Sequence, residues 1–376
     1  MRWPVWSTLD GKPGMERAWI AGKAVALDAA IAEAANLIAA SRYPLIAGLG
    51  TDVAGGRAAF ALAERTGAAC DHMHSERLLR ELNVMRSSGM MLTTPGESHV
   101  RADTLLIAGP GLGEASLRML QQVLAKLGVE RRIFWLCPGH DAATAVIGGT
   151  ATTMVGTSPG DLAALVAALR ARLAGRPVAK ARVAGKVLQE VVSGLKAARF
   201  GVAIWSAASL DTLTLEMLCG LINDLNATTR FSALPLPPDD NALGIQQVCA
   251  WTTGCSLPTA FGRGSPWHDP WLFDSRRLVK SGETDCVVWI SAYRAEAPPW
   301  SEAPTTIALT ACGTRFGAPP RVHIAVGCPG VDHAGVEHSP STGTLTAVAA
   351  SRPSDLISVA EALTRIAAAL PRERAC

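Results

Sequence analysis

From about residue 24 onward the chain alternates short apolar runs with amphipathic stretches, and this alternation restricts the fold more than any other feature. The runs Leu45–Ala47, Leu105–Ala108, Ile133–Leu136, Val202–Trp205, Cys286–Ile290, Thr306–Leu309 and Val322–Val326 are apolar at nearly every position rather than at every second one. A strand of that kind is covered on both faces, which is the condition of a parallel sheet joined by crossover helices. Helices are expected over Asp28–Ala40, Arg57–Glu64, residues 158–174, near 182–198 and over Ser354–Leu370. A further helix would place Leu117, Leu120, Leu124 and Leu127 on one face and stop at Gly128. In 158–174, Ser158, Pro159 and Asp161 have the order of a capping box, ahead of the stripe Leu162, Leu165, Val166, Leu169 and Leu173. Residues 231–270 are rich in Pro, Gly and Asn and show little period, so they are expected as long loops.

With 376 residues the chain exceeds one typical domain. Its 35 basic and 32 acidic side chains leave a net charge of +3, and the only adjacent arginines noted are the isolated pairs Arg131-Arg132 and Arg276-Arg277. Nucleic-acid binding needs basic residues gathered on one face, so that class is excluded. No run approaches the roughly 20 apolar residues that span a bilayer. The opening Met1-Arg2-Trp3-Pro4-Val5-Trp6 lacks the apolar core of a secretory signal, and the cytoplasm is the expected location. Nine scattered cysteines without a Cys-x-x-Cys pair read as reduced thiols rather than as a disulfide framework. An apolar share of 49% suggests that other subunits cover part of the surface.

Local motifs point to little chemistry by themselves. Gly48-Leu49-Gly50-Thr51-Asp52 and Gly109-Pro110-Gly111-Leu112-Gly113 follow strands, as a dinucleotide fingerprint does. Val53 replaces the third glycine of the first, the second shares the defect, and tight strand-to-helix turns need glycine in any case. His72-x-His74, Cys137-Pro138-Gly139-His140, and the group Cys328, Asp332, His333 and His338 each lack a complete ligand set, since a closed zinc site takes four. Hydrogen-bonded or solvated histidines are the expectation. Cys255 would need a histidine partner to act as a nucleophile, and a buried thiol is the plainer reading.

One stretch is distinctive: Asn241-x-x-Gly244-x-x-Gln247-Val248, Trp251-x-Thr253-Gly254, then Arg263-Gly264-x-Pro266-x-x-x-Pro270. It resembles the B-type subunit of formylmethanofuran dehydrogenase, of the molybdopterin oxidoreductase superfamily. Weaker similarity runs through Arg42–Ile46, Arg101–Thr104 and Ile324–Gly330. The resemblance implies two doubly wound parallel-sheet (Rossmann-like) α/β domains without the N-terminal iron–sulfur domain. Their expected bounds are 24–76 plus 240–376 for one and 77–239 for the other, after an extension over 1–23.

Three departures from that family carry the functional expectation. The redox subunit has an N-terminal cysteine cluster for a [4Fe–4S] centre, whereas the first 69 residues here contain no cysteine. A Cys-His pair that binds molybdenum or tungsten is replaced by Asp71-His72-Met73-His74, and Cys70 is not given the ligand role. An Asp-x-Arg turn that grips the pterin is replaced by Cys137-Pro138-Gly139-His140. No cofactor and no catalytic, cofactor-binding or metal residue is assigned. The resemblance then implies a non-redox subunit of a bacterial formyltransferase/hydrolase complex, which passes a formyl group from tetrahydromethanopterin to a methanofuran-like carrier and releases formate. Catalysis is expected on other subunits, which with the carrier are the expected partners. Asn241, Gly244, Trp251 and Gly254 are expected to maintain loops. Arg263, with Gly264 and Pro266, is expected to pair across loops or to contact a carboxylate. Where the family holds its pterin, Trp135, Trp205 and Trp251 are candidates to fill the space. The competing readings are a redox subunit with atypical metal–pterin ligands, a nucleotide-binding protein, and a hydrolase using Cys255.

Overall fold

The computed structural model describes residues 17–110, 120–121, 131–139, 152–178, 183–300 and 304–371. Most of the helix expected around Leu117–Leu127 lies outside them, as does His140. The described chain is an α/β protein with two sheets whose central strands are parallel. It forms two units: one takes the chain up to Glu76, Asp239–His338 and the chain from Leu345, and the other takes Arg77–Pro238 with Ser339–Thr344.

In the first unit, β1 (Ala18–Ile20) and β2 (Lys23–Ala24) are followed by α1 (Leu27–Ala40), β3 (Pro44–Gly50), α2 (Val53–Thr66) and β4 (Ala69–His72). The helix α3 (Ser75–Ser88) carries the chain out of this unit. Residues 18–20 and 23, expected in a separate extension, lie in sheet strands: β1 pairs antiparallel with β14 (Val322–Val326). After the second unit come α8 (Ala242–Thr253), β10 (Thr259–Ala260), β11 (Trp267–His268), α9 (Ser275–Ser281), β12 (Cys286–Ser291), β13 (Thr305–Ala311), β14 and α10 (Val359–Ala369). The sheet order is β11-β10-β4-β3-β12-β13-β14-β1-β2, with β4, β3, β12, β13 and β14 parallel. Ile46, Val288, Ile290, Ile307, Leu309 and Ile324 bury one face together with residues of α1, α2, α8 and α10. Leu45, Ala47, Val287 and Trp289 bury the other with Leu278 of α9. Both-sided burial is what the unbroken apolar runs require.

The second unit contains α4 (Pro95–Arg101), β5 (Thr104–Ala108), β6 (Arg132–Leu136), β7 (Thr152–Val155), α5 (Leu162–Leu173), α6 (Gly185–Lys196), β8 (Gly201–Trp205), α7 (Thr212–Leu225) and β9 (Phe231–Pro235). Its sheet is wholly parallel in the order β7-β6-β5-β8-β9.

Some local expectations are corrected. The capping box at Ser158 does not close on the backbone: Ser158 Oγ donates to the Asp161 carboxylate at 2.5 Å, and a 3₁₀ turn over Pro159–Asp161 precedes α5. The last helix starts at Val359, because Ser358 accepts from Glu361 N and caps it there. The loops expected over 231–270 hold β9, α8, β10 and β11. Helix α8 forms although Asn241 makes no side-chain cap bond, because Ile245, Val248 and Cys249 are buried in the core. A Cβ at Gly56 of α2 would come within 2.7 Å of Ile245 Cδ1, so a glycine lets the two helices meet. Trp135 and Trp205, expected as fillers of a ligand space, lie in strands and are buried in the second unit's core, while Trp251 of α8 is 53% exposed.

Candidate functional site

In open parallel sheets, ligands bind beyond the carboxyl ends of the strands where the strand order reverses. In the first unit that place is between β3 and β12: the chain runs from β3 outward to β4 on one side, and the later strands β12, β13 and β14 extend on the other. The strand ends are laced by Met73 N donating to Gly48 O at 3.0 Å and Ala292 N donating to Gly50 O at 2.7 Å. Gly48 has φ +81° and lies so close to β12 that a Cβ would sit 2.5 Å from Ile290 O. The glycine turn therefore serves strand packing.

Directly over this edge sit Asp240, His72, His74 and Arg294. A Cβ at Gly50 would lie 3.2 Å from Met73 Cε and 3.5 Å from Asp240 Cβ, which places both side chains on the end of β3. Arg294 donates through Nε to Asp240 Oδ1 at 2.9 Å and through Nη2 to Oδ2, a two-pronged pair. His74 Nε2 is 3.0 Å from the same Oδ2. His72 is buried; its Nδ1 accepts the His74 backbone N–H at 3.0 Å, so its Nε2 carries the proton directed to Asp240 O at 3.2 Å. Glu296 adds a second carboxylate 3.3 Å from Arg294.

The electrostatics follow from burial and pairing. Asp240, with 1% of its side chain exposed, is penalised by desolvation, but hydrogen bonds from His74 and Arg294 and the guanidinium charge together hold its pKa below the ordinary value. Desolvation, with a smaller contribution from His74, lowers His72 to about 3, so the ring is neutral. Next to them, Asp71 accepts from Ser275 N at 2.9 Å and from Ser75 Oγ, yet burial raises it to about 6. Cys70 points into the core, where burial keeps the thiol protonated.

Asn241 continues the knot. Asp240 and Asn241 both have left-handed backbones, φ 58° and 56°. Asn241 Nδ2 donates to Thr51 O at 2.8 Å and its Oδ1 accepts from His338 N at 2.8 Å, tying the β3–α2 turn to β15 (Gly335–Ser339). Gly244 is explained by this side chain, since a Cβ there would come within 2.1 Å of Asn241 Oδ1. The remaining motif residues stand elsewhere: Gly254 ends α8 in the left-handed region at φ +73°, about 20 Å along the helix axis from Asn241. Arg263 lies 4.0 Å above the Trp267 ring, Gly264 N donates to Phe261 O at 3.1 Å, and Pro266 O is 3.9 Å from Cys255 Sγ. Arg263 thus packs within its own loop, and the Cys255 thiol is directed at a main-chain carbonyl rather than at a histidine.

His333, Cys328 and Asp332 do not converge as ligands either. Asp332 accepts from Cys328 N at 2.9 Å and from Arg352 at 2.7 Å, and His333 bonds main-chain carbonyls of Gly327 and Ala334. Among the described residues no group of three or more His, Cys, Asp and Glu side chains is disposed to hold a metal. At the β3–β12 edge the donors do not fit a metal–pterin: both His72 nitrogens and both Asp240 oxygens are engaged by the protein, and the flanking thiol faces away.

These features define an α/β protein whose ligand-type sheet edge is occupied by its own ion pair. No protein-family model matches the chain. It is 34% identical over 93% of its length to the B-type subunit of the formyltransferase/hydrolase complex (Fhc) of Methylorubrum extorquens, covering 96% of that protein. The chain belongs to that family. The crystal structure of the Methylorubrum extorquens complex (FhcABCD) with methylofuran contains a chain that matches with a TM-score of 0.81, over 93% of this chain and 97% of that one. The B-type subunit of tungsten-containing formylmethanofuran dehydrogenase 2 from Methanocaldococcus jannaschii is 29% identical over 72% of the chain, which spans 65% of that relative.

Proposed function

We propose that the chain is a non-redox scaffold subunit of a formyltransferase/hydrolase complex, which transfers a formyl group from formyl-tetrahydromethanopterin to a methanofuran-like carrier and releases formate. Family membership at 34% identity across nearly the whole of both chains is the observation that carries this reading. The residues agree with it: where a metal–pterin subunit needs free thiolate and pterin-gripping groups, this chain has the Asp240–Arg294–His74 knot. The fold is proposed to be that of molybdopterin oxidoreductases, with its two units as two doubly wound domains and the cytoplasm as its location. No helix among the described residues is long and apolar enough to cross a membrane. Asn241, Gly244, Trp251, Gly254, Arg263, Gly264 and Pro266 are proposed as residues that shape the scaffold rather than as catalytic groups.

The redox alternative has no set of free ligand atoms at this edge to support it. The test is reconstitution: the other subunits should transfer formyl groups to the carrier only when this chain is co-expressed. Unchanged transfer and hydrolysis without it would overturn the proposal.

A further inference from the structure

The second unit covers one margin of its five-stranded sheet and leaves a single residue there open. Strand β9 lies outermost in the order β7-β6-β5-β8-β9, so the outward main-chain groups of its alternate residues Phe231, Ala233 and Pro235 need cover. At Phe231 a side-chain amide supplies it: Phe231 N donates to Asn226 Oδ1 at 3.0 Å, and Asn226 Nδ2 donates to Phe231 O at 2.7 Å. Pro235 has no N–H to satisfy. Ala233 is covered by residues 91–93, which run parallel to β9. Ala233 N donates to Met91 O at 2.6 Å, and Thr93 N donates to Ala233 O at 2.9 Å.

These two bonds use the groups on either side of Leu92. Its own N–H and C=O therefore point away from β9, and among the described residues neither meets a partner. The Leu92 side chain is 52% exposed. Met91 beside it is exposed as well, as are Leu82 and Met85 on the last two turns of α3. The strip is held in place, because Thr93 Oγ1 donates to Glu97 Oε2 at 2.8 Å and Thr94 caps α4. Sheet margins are ordinarily blunted by charges, yet residues 87–96 contain none.

We propose that Leu92 is the centre of a two-fold contact between two copies of this chain, in which their five-stranded sheets join edge to edge. A hydrogen-bonded antiparallel pair consists of two residues that exchange both of their N–H···O=C bonds. Leu92 facing Leu92 of a second copy completes such a pair, and all four main-chain groups are used. A two-fold contact brings each residue near its own copy, so a charge at its centre would meet its like. The uncharged run removes that repulsion. Met91 and, from the preceding helix, Leu82 and Met85 supply apolar surface for the contact to bury. The strip is already ordered, so pairing costs little conformational entropy. The contact lies wholly in the second unit and does not depend on the proposed function.

Sedimentation equilibrium of the full chain tests this from about 1 to 100 µM, the range in which a small interface associates. The expected result is a reversible monomer–dimer equilibrium. Leu92→Pro removes the outward N–H and spares the bonds that Met91 and Thr93 make to β9. Leu92→Lys sets two ammonium groups face to face. Each should weaken association by about tenfold or more. In the wild type, amide exchange at Leu92 should slow as concentration rises. A wild type that stays monomeric, a dimer that neither variant weakens, or growth beyond a dimer would overturn the proposal. So would protection of the Leu92 amide that appears only when the other subunits of the complex are added, since a different chain would then hold this edge. If Leu92→Pro fails to fold, Leu92→Lys decides the matter, because that side chain is half-exposed.

Discussion

Arg294 grips Asp240 through two nitrogens, one on each carboxylate oxygen, across 54 residues of sequence, and the pair sits on the end of β3. Asp240 is almost wholly buried and Arg294 is 39% exposed, so the arginine is the partner that reaches solvent. The pair fills with protein the position where parallel sheets receive ligands.

Replacing Arg294 with Met should leave that buried carboxylate without its counter-charge. The expected loss is about 3 kcal/mol, read from urea unfolding of the full chain. Lysine at this position should recover only part of it, because an ammonium cannot span both oxygens.

Gly244→Ala reverses a general rule. Alanine usually stabilises a helix by about 1 kcal/mol relative to glycine. Here the added methyl meets Asn241 Oδ1, so the expected change is a loss of about 1–3 kcal/mol. Asn241→Gly keeps the left-handed backbone but removes the clash. Alanine at 244 should then be nearly neutral, a non-additivity that a double-mutant cycle measures.

Stability should fall in acid partly through His72. Its folded pKa of about 3 lies below the unfolded 6.5, so the unfolded chain binds the proton that the native ring refuses. The contribution is whole above pH 6.5 and declines as pH falls, amounting to about 2–3 kcal/mol by pH 4.5. His72→Gln should flatten that limb of the pH–stability curve. Glu81 works in the opposite sense, favouring the fold as pH falls below about 7.

Arg263→Ala should change stability by no more than about 1 kcal/mol, the range of an exposed cation–π contact. Formyl transfer by the assembled complex should be unaltered. A large loss of transfer with the fold intact would instead favour a carboxylate contact for this arginine.

The strands are readable in the sequence because burial on both faces leaves an uninterrupted apolar run, as Cys286–Ile290 and Val202–Trp205 show. Helix α8 is not readable. Its first turn holds Gly244, its last holds Thr252 and Thr253, and it is stabilised by packing against α2 rather than by propensity or a cap. Asn241 and Gly244 stand out as a motif, but their reason lies in Thr51 and His338, distant in sequence. Asp240 and Arg294 give no signal at all, since an ion pair 54 residues apart has no periodicity or local spacing. His72 and His74 are visible as a pair, and only the fold shows that an aspartate 166 residues later engages them.

As a non-redox scaffold, this subunit should work without a redox metal. Inductively coupled plasma mass spectrometry on the native complex, purified with all its subunits, measures tungsten and molybdenum per copy of this chain. Far less than one atom of either is expected in a preparation active in formyl transfer. One tungsten or molybdenum per copy, retained through purification, would contradict it.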